Sequence, residues 1–196
     1  MKWFQQVRKL SNVRRCGVMR TIINQNVAEH SYYAAILAIK FLEDLEQKGM
    51  KLDRGPILEK VLLHDVEEAV TGDIPYPFKR ASKALGYLIE EVKNNLMPSI
   101  FPAWVVKANR DAKETYGGAI VKAVDYVELY AYCLEEMHMG NQDPYLKEIT
   151  TECKRILNEQ ANSEFQLEHT VGNLAFEYMR EISEIYTGEV EGLPML

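Results

Sequence analysis

Residues 27–48 read VAEHSYYAAILAIKFLEDLEQK, and the spacing of their apolar side chains decides the fold class. Ala34, Ala35, Leu37, Ala38, Phe41, Leu42 and Leu45 recur at the period of one face of an α-helix. The stripe is broad and includes small residues, so this helix is expected at the centre of the fold, capped by Asn26. Outward from it the same period runs through most of the chain. Strand-like alternation is nearly absent, and glycine or proline stands at the ends of periodic stretches. The reading is an all-α helical bundle with helices at 2–10, 27–48, 55–71, 81–97, 101–110, 112–139, 144–160 and 163–186. Asp53 is placed to cap the third helix, Pro56 sits in its first turn and Gly72 follows its end. The two prolines of TGDIPYPFKR, residues 71–80, make an ordered loop of that stretch. The division expected is one domain over 1–186 and a short tail, or a lid, over 187–196.

A chain of 196 residues buries one sizeable core. Its formal charge of -6 is interspersed and leaves no basic stripe to track a nucleic-acid backbone. A polymeric nucleic-acid partner is therefore not expected, whereas a local basic pocket for a small phosphorylated ligand is compatible with an acidic protein. Cys16, Cys133 and Cys153 are odd in number and far apart, which argues against a disulfide framework and for a reducing cytoplasmic setting. The start MKWFQQVRKL has no long apolar region, and no run approaches the roughly 18 apolar residues that span a bilayer. The expectation is a soluble, cytoplasmic protein with no membrane partner.

The chemistry concentrates in VLLHDVEEAV, residues 61–70. An ionisable His64-Asp65 pair on so apolar a helix is costly to bury without compensation. Hydrogen bonding inside the core is one compensation and a metal ion is another. Two further polar residues stand among packing residues: His30 in NVAEHS and Asp125 in KAVDYVELY, the latter read as a lone acid. Two imidazoles and two carboxylates suit a divalent ion such as Mn, Co, Ni, Mg or Zn and leave positions for water and substrate. Such an ion polarises a phosphoryl oxygen and activates water, so hydrolysis of a phosphate ester follows. On a continuous helix Glu68, four residues after His64 and three after Asp65, emerges on the ligands' face as a general acid or water-orienting group. Glu67 is turned partly away. Asp73 either binds a sugar hydroxyl or holds its own turn, and Lys79 either meets a phosphate or stays solvated. Arg14, Arg15 and Arg20 form a basic cluster before the His30 helix, any of which has the planar shape that binds phosphate.

Three stretches, RRCGVMRTIINQNVAEHS, LLHDVEEAVTGDIPYPFK and KAVDYVELY, together resemble the HD-domain superfamily, and within it the YfbR-like 5'-deoxynucleotidases and related small nucleotide phosphohydrolases. The resemblance runs from about residue 5 to about residue 140 and adds an E-x-x-x-x-D-x-P continuation to the ordered H…HD…D signature. It implies an HD-domain bundle with a metal site in its core. His30, His64, Asp65 and Asp125 would hold one divalent ion, Glu68 would assist catalysis and Arg15 would orient the phosphate. Asp73, Ile74, Pro75 and Tyr76 would line the sugar and base pocket, and homodimers are implied. One departure is Cys16, where the family typically has Trp; losing a ring that packed on the nucleoside changes substrate choice.

A second metal finds no ligands, since His138 stands thirteen residues past Asp125, roughly 20 Å along one helix. A di-iron bundle is equally disfavoured, because Val27 and Val61 occupy the positions where its helix motif requires Glu. The expected activity is hydrolysis of a nucleoside 5'-monophosphate, with a deoxyribonucleotide as the expected substrate, to nucleoside and phosphate. A triphosphate phosphohydrolase on the same site is the alternative, and a non-catalytic nucleotide-binding module a third reading. Leu167, Val171, Leu174, Phe176, Met179 and Ile182 near the C-terminus either complete the core or meet a second subunit.

Overall fold

The computed structural model describes residues 1–79, 81–114 and 117–188. Ten α-helices follow one another among these residues: α1 (Lys2–Val7), α2 (Val27–Gln47), α3 (Arg54–Leu63), α4 (Glu68–Thr71), α5 (Tyr76–Lys79), α6 (Lys83–Ile100), α7 (Ala103–Glu114), α8 (Gly118–His138), α9 (Pro144–Ala161) and α10 (Gln166–Thr187). A 3-10 turn, Arg8–Asn12, follows α1. No strand occurs among the described residues, only an isolated antiparallel bridge between Arg14 and Asn26. No helix there is long and apolar enough to cross a membrane.

Local side-chain caps start two of the long helices. Asn26 accepts from the Glu29 N–H while the Glu29 side chain accepts from the Asn26 N–H, a reciprocal box that starts α2. Asp143 caps α9 through the Tyr145 N–H, and Pro144 occupies its first turn without loss of a needed donor. Asp53 precedes α3 but makes no capping hydrogen bond from its side chain.

Helix α8 is the hub, packed against α2, α3, α7, α9 and α10. Its inward side chains Ile120, Val124, Val127 and Tyr130 meet Phe41, Leu42 and Leu45 of α2 and Leu157 of α9 in the main core. Each of these is fully buried, and burial on this scale stabilises by about 1.5–3 kcal/mol per large apolar side chain. Leu167, Val171, Leu174 and Met179 of α10 are buried in the same core, with Phe176 and Ile182 packed against it. Close approach of α9 and α10 requires Gly172, since a Cβ there would lie 2.3 Å from the Ala161 backbone nitrogen.

Several boundaries differ from expectation, and the stretch expected as a loop over 71–80 holds one helical turn, α5, which starts after Pro75 and closes with the Lys79 N–H on the Pro75 carbonyl at 3.0 Å. The helix expected over 55–71 is broken: α3 stops at Leu63, residues 64–67 form turns, and α4 restarts at Glu68. The Glu68 N–H bonds to the Asp65 carbonyl at 3.0 Å and the Val66 N–H to the Leu63 carbonyl at 3.2 Å, three-residue spacings that tighten the chain. The stretch expected at 101–110 continues to Glu114, and α8 begins at Gly118. Helix α10 starts at Gln166 because the Ser163 hydroxyl takes the Phe165 N–H in a local turn. Of the tail expected at 187–196, residues 189–196 lie outside the described residues.

Candidate active site

Four donor atoms from three parts of the bundle converge beside the core. The Nε2 atom of His30, on α2, lies 3.3 Å from Nε2 of His64 and 3.1 Å from Oδ1 of Asp125 on α8. The Nε2 atom of His64 lies 3.2 Å from Oδ2 of Asp65. The two diagonals, His30 to Asp65 and His64 to Asp125, are both 3.8 Å. Ligands bound at about 2.0–2.2 Å to one divalent ion stand roughly 3–3.5 Å apart, so the spacing fits a shared cation.

The other ring nitrogens decide how the imidazoles present themselves. The Nδ1 of His30 meets Oε2 of Glu128 at 2.5 Å, and the Nδ1 of His64 meets the Val61 carbonyl at 2.6 Å. A neutral histidine that donates from Nδ1 has its lone pair on Nε2, so both rings aim an electron pair at the same point. Asp125 Oδ1 is also buried without a hydrogen-bond partner. Two lone pairs and two carboxylate oxygens packed this closely require positive charge between them.

The electrostatics show the same demand for positive charge at this point. Burial opposes the imidazolium form of His64, but the adjacent Asp65 and Asp125 carboxylates outweigh it and raise the group well above its ordinary value. Burial likewise opposes ionisation of Asp65, yet His64 and Arg15 hold it far below the usual carboxylate range. Asp125 is lowered against burial by His30 and His64. Arg15 donates to Asp65 Oδ2 at 3.1 Å and lies 3.6 Å from Asp125 Oδ1. Burial disfavours its charge, but Asp125 and Asp65 hold it more firmly cationic than in water. Its Nε is buried with no hydrogen-bond partner, a donor facing no acceptor.

Arg15 reaches this position because its segment is tied down twice. Beside the Arg14–Asn26 bridge, the Arg15 N–H donates to the Gln25 carbonyl at 3.0 Å and the Val27 N–H to the Val13 carbonyl at 2.9 Å. Further along, the fully buried Glu136 carboxylate accepts the Ile22 and Ile23 N–H groups at 2.8 and 2.6 Å. Cys16 has a positive φ of 53°, and its N–H donates to Asp73 Oδ2 at 3.0 Å, so the Arg15 segment and the loop after α4 are joined. Arg14 turns elsewhere, donating to Thr21 Oγ1. The Arg20 carbonyl accepts from Asn141.

A cavity of about 390 Å³ opens over these groups. It is lined by Arg15, Asp65, Glu68 and Asp125, by Cys16, Asp73, Ile74, Pro75 and Lys79, and by the apolar groups of Tyr126, Leu129, Tyr145 and Ile149 with Glu148 and Glu152 among them. The side chain of Tyr76 lies outside the described residues. Glu68 is buried, 3.5 Å from the Lys79 ammonium, with Oε2 unpartnered. Burial first, then Asp65 and Asp73, push its carboxyl up to about 9 against the opposing pull of Lys79 and Arg15. The continuous-helix argument that put Glu68 on the ligands' face does not apply, because the chain is broken between them; Glu68 faces the cavity from the start of α4 instead. Glu67 is buried in a different direction, paired with Lys93 of α6 and accepting from Asn109 of α7 at 2.7 Å.

Glu128 escaped the sequence reading, which treated Asp125 as a lone acid. The signal was present: a second carboxylate one helical turn on, in the same apolar stretch. Gln25, which donates to Glu128 Oε1 at 2.5 Å, carried no such signal. His138 bonds to the Tyr186 carbonyl at 2.9 Å, far from this centre in role.

The model of the YfbR-like 5'-deoxynucleotidase family matches residues 2–173. A 5'-deoxynucleotidase of Vibrio cholerae is 27% identical over 158 residues, covering 72% of this chain and 77% of the relative. An HD-domain phosphohydrolase of Listeria innocua superposes with a TM-score of 0.77 at 26% identity, over 95% of this chain and 89% of that one. The cyanophage S-2L HD phosphohydrolase DatZ, solved with dA and one catalytic Zn2+ ion, superposes with a TM-score of 0.71 over 92% of this chain and 96% of that one; at 22% identity the likeness is one of fold. A match across most of its length, on the fold just described, makes this chain a member of the YfbR-like 5'-deoxynucleotidase family and a metal-dependent HD-domain phosphohydrolase of nucleotides.

Proposed function

We propose that the protein hydrolyses 2'-deoxyribonucleoside 5'-monophosphates to nucleoside and inorganic phosphate, with His30, His64, Asp65 and Asp125 holding one divalent ion. The observation that carries this reading is the convergence of four donor atoms within 3.1–3.8 Å at a cavity that also holds Arg15 and Glu68. When bound, a divalent ion supplies Lewis acidity toward a phosphoryl oxygen and toward water.

The chain's own residues do the rest. Arg15 turns its unpartnered Nε toward a phosphate oxygen and, wedged against two acids, holds that phosphate in register with them. Water adds to phosphorus as the P–O5' bond breaks, and the leaving O5' needs a proton. Glu68, protonated at neutral pH, is the donor and regains its proton from solvent. Lys79 neutralises excess phosphate charge beside it. Asp73, Ile74 and Pro75 meet the sugar, while Cys16 and the apolar wall of Leu129 and Ile149 take the base. With Cys16 in place of a large ring, the base is gripped by the remaining wall, in which Tyr126 and Tyr145 stand beside Leu129 and Ile149. DatZ, on the same fold, holds dA and one Zn2+ ion, which supports a single metal and a deoxynucleoside ligand.

The reading extends to a cytoplasmic enzyme, in keeping with three free cysteines, and to a homodimer. The C-terminal apolar residues are used within the core, so the dimer face is assigned to the outward side of α2, where Tyr32, Tyr33, Ile36 and Ile39 are exposed. Light scattering coupled to gel filtration measures that state. The activity is tested with a panel of deoxy- and ribonucleoside mono- and triphosphates and several divalent ions, reading phosphate release and the nucleoside product by chromatography. Deoxyribonucleoside monophosphates are expected to give equal nucleoside and phosphate. Turnover of triphosphates alone would transfer the reading to a triphosphohydrolase, and no turnover of any nucleotide would overturn it.

A further inference from the structure

The break between α3 and α4 contains two of the residues that would bind the metal, His64 and Asp65, and one side chain closes it. In a regular helix the His64 carbonyl would accept from the Glu68 N–H. Here that N–H goes to the Asp65 carbonyl, and the His64 carbonyl is taken by Nδ2 of Asn109 at 2.8 Å. The same Nδ2 reaches the Leu63 carbonyl at 2.8 Å and Glu67 Oε2 at 2.7 Å, so two amide hydrogens are shared among three acceptors. Glu67 is held in turn by Lys93, which also lies 3.7 Å from Glu90. Both Glu67 and Lys93 are buried. The His64 carbonyl belongs to the peptide unit that joins His64 to Asp65, so Asn109 pins the plane from which both ligands spring.

We propose that Asn109 of α7, backed by the Glu67–Lys93 pair, is a positioning residue for the metal centre: it fixes the peptide between His64 and Asp65 and so aims both at one ion. This rests on the metal-centre reading above. Outer groups that orient ligands commonly govern affinity by about 10–100-fold, and a pinned peptide acts on two ligands together.

The test is Mn2+ binding to the full chain by titration calorimetry, with thermal midpoints and activity against Mn2+ concentration measured alongside. Asn109→Ala is expected to bind Mn2+ at least about tenfold more weakly, with activity recovering as Mn2+ is raised. The comparison is Gln160→Ala. Gln160 is buried and its amide also donates to a helix carbonyl, that of Ala119 at 2.9 Å, and neither residue lines the cavity. It should lower the midpoint and leave Mn2+ affinity within twofold of the parent. Glu67→Gln, which keeps an acceptor for Asn109 but removes the charge facing Lys93, should weaken Mn2+ binding several-fold. Parental Mn2+ affinity in Asn109→Ala overturns the proposal; if that variant does not fold, parental affinity in Glu67→Gln overturns it. A parent that binds no Mn2+ would overturn the metal-centre reading itself.

Discussion

Replacing Glu68 by Gln removes one proton and almost nothing else. The carboxyl is buried, and burial together with the neighbouring Asp65 and Asp73 carboxylates pushes it up to about 9, which favours the protonated form at neutral pH. At neutral pH the side chain therefore carries a proton ready for the leaving oxygen. Activity of the parent should hold level through neutral pH and fall through an apparent pKa near 9 as Glu68 ionises. Glu68→Gln is similar in shape but has no acidic proton to give, so kcat should drop by about 10²–10⁴-fold with KM little changed. The alkaline limb attached to Glu68 should vanish with it. Stability moves in a set direction too. The native state keeps a proton that the unfolded chain releases, so the contribution is complete below about 4.5 and is lost as pH rises through about 9. The thermal midpoint of the parent should therefore decline across that window more steeply than that of Glu68→Gln. Phosphate release from a deoxynucleoside monophosphate at saturating Mn2+, measured from pH 6 to 10, gives the profile. A variant with parental kcat, or one that keeps a limb near 9, would refute Glu68 as the proton donor.

His64→Ala and Asp65→Ala should each abolish stoichiometric Mn2+ binding in calorimetry and reduce phosphate release by at least about 10³-fold; parental binding in both would remove them from the ligand set. Glu128→Gln leaves every donor atom in place but weakens the hold on His30 Nδ1, so Mn2+ affinity should fall by about 10–100-fold. Arg15→Ala should lower kcat/KM by at least about tenfold, and Arg15→Lys should not restore it, because an ammonium cannot span Asp65, Asp125 and a phosphate at once. Chelation should stop turnover, and Mn2+ at 100 times its Kd should return about 2.7 kcal/mol of stability, read as a rise in midpoint.

The helices were written into the chain because amphipathic period and capping are local. The apolar stripe of α2, the Asn26 box and the Asp143–Pro144 start needed nothing from elsewhere. His30, His64, Asp65 and Asp125 stood out for a related reason: an ionisable side chain among packing residues is conspicuous in one dimension. The break after Leu63 was not legible, because apolar spacing runs on through residues 61–70 and the donor that makes the turn tolerable, Asn109, comes from α7. Glu67 reads in the sequence as a near-duplicate of Glu68, yet Lys93 and Asn109 hold it away from the cavity while Glu68 enters it. Spacing left three arginines open and the resemblance alone singled out Arg15; its place beside Asp65 depends on the bridge to Asn26 and the carboxylate of Glu136, long-range partners that spacing does not encode. What the sequence determined by itself was the set of helices and the polar residues too costly to bury alone. The tertiary structure decided which of them meet, because distances of 3–4 Å between side chains depend on how separate helices cross, and that is set by packing rather than by period.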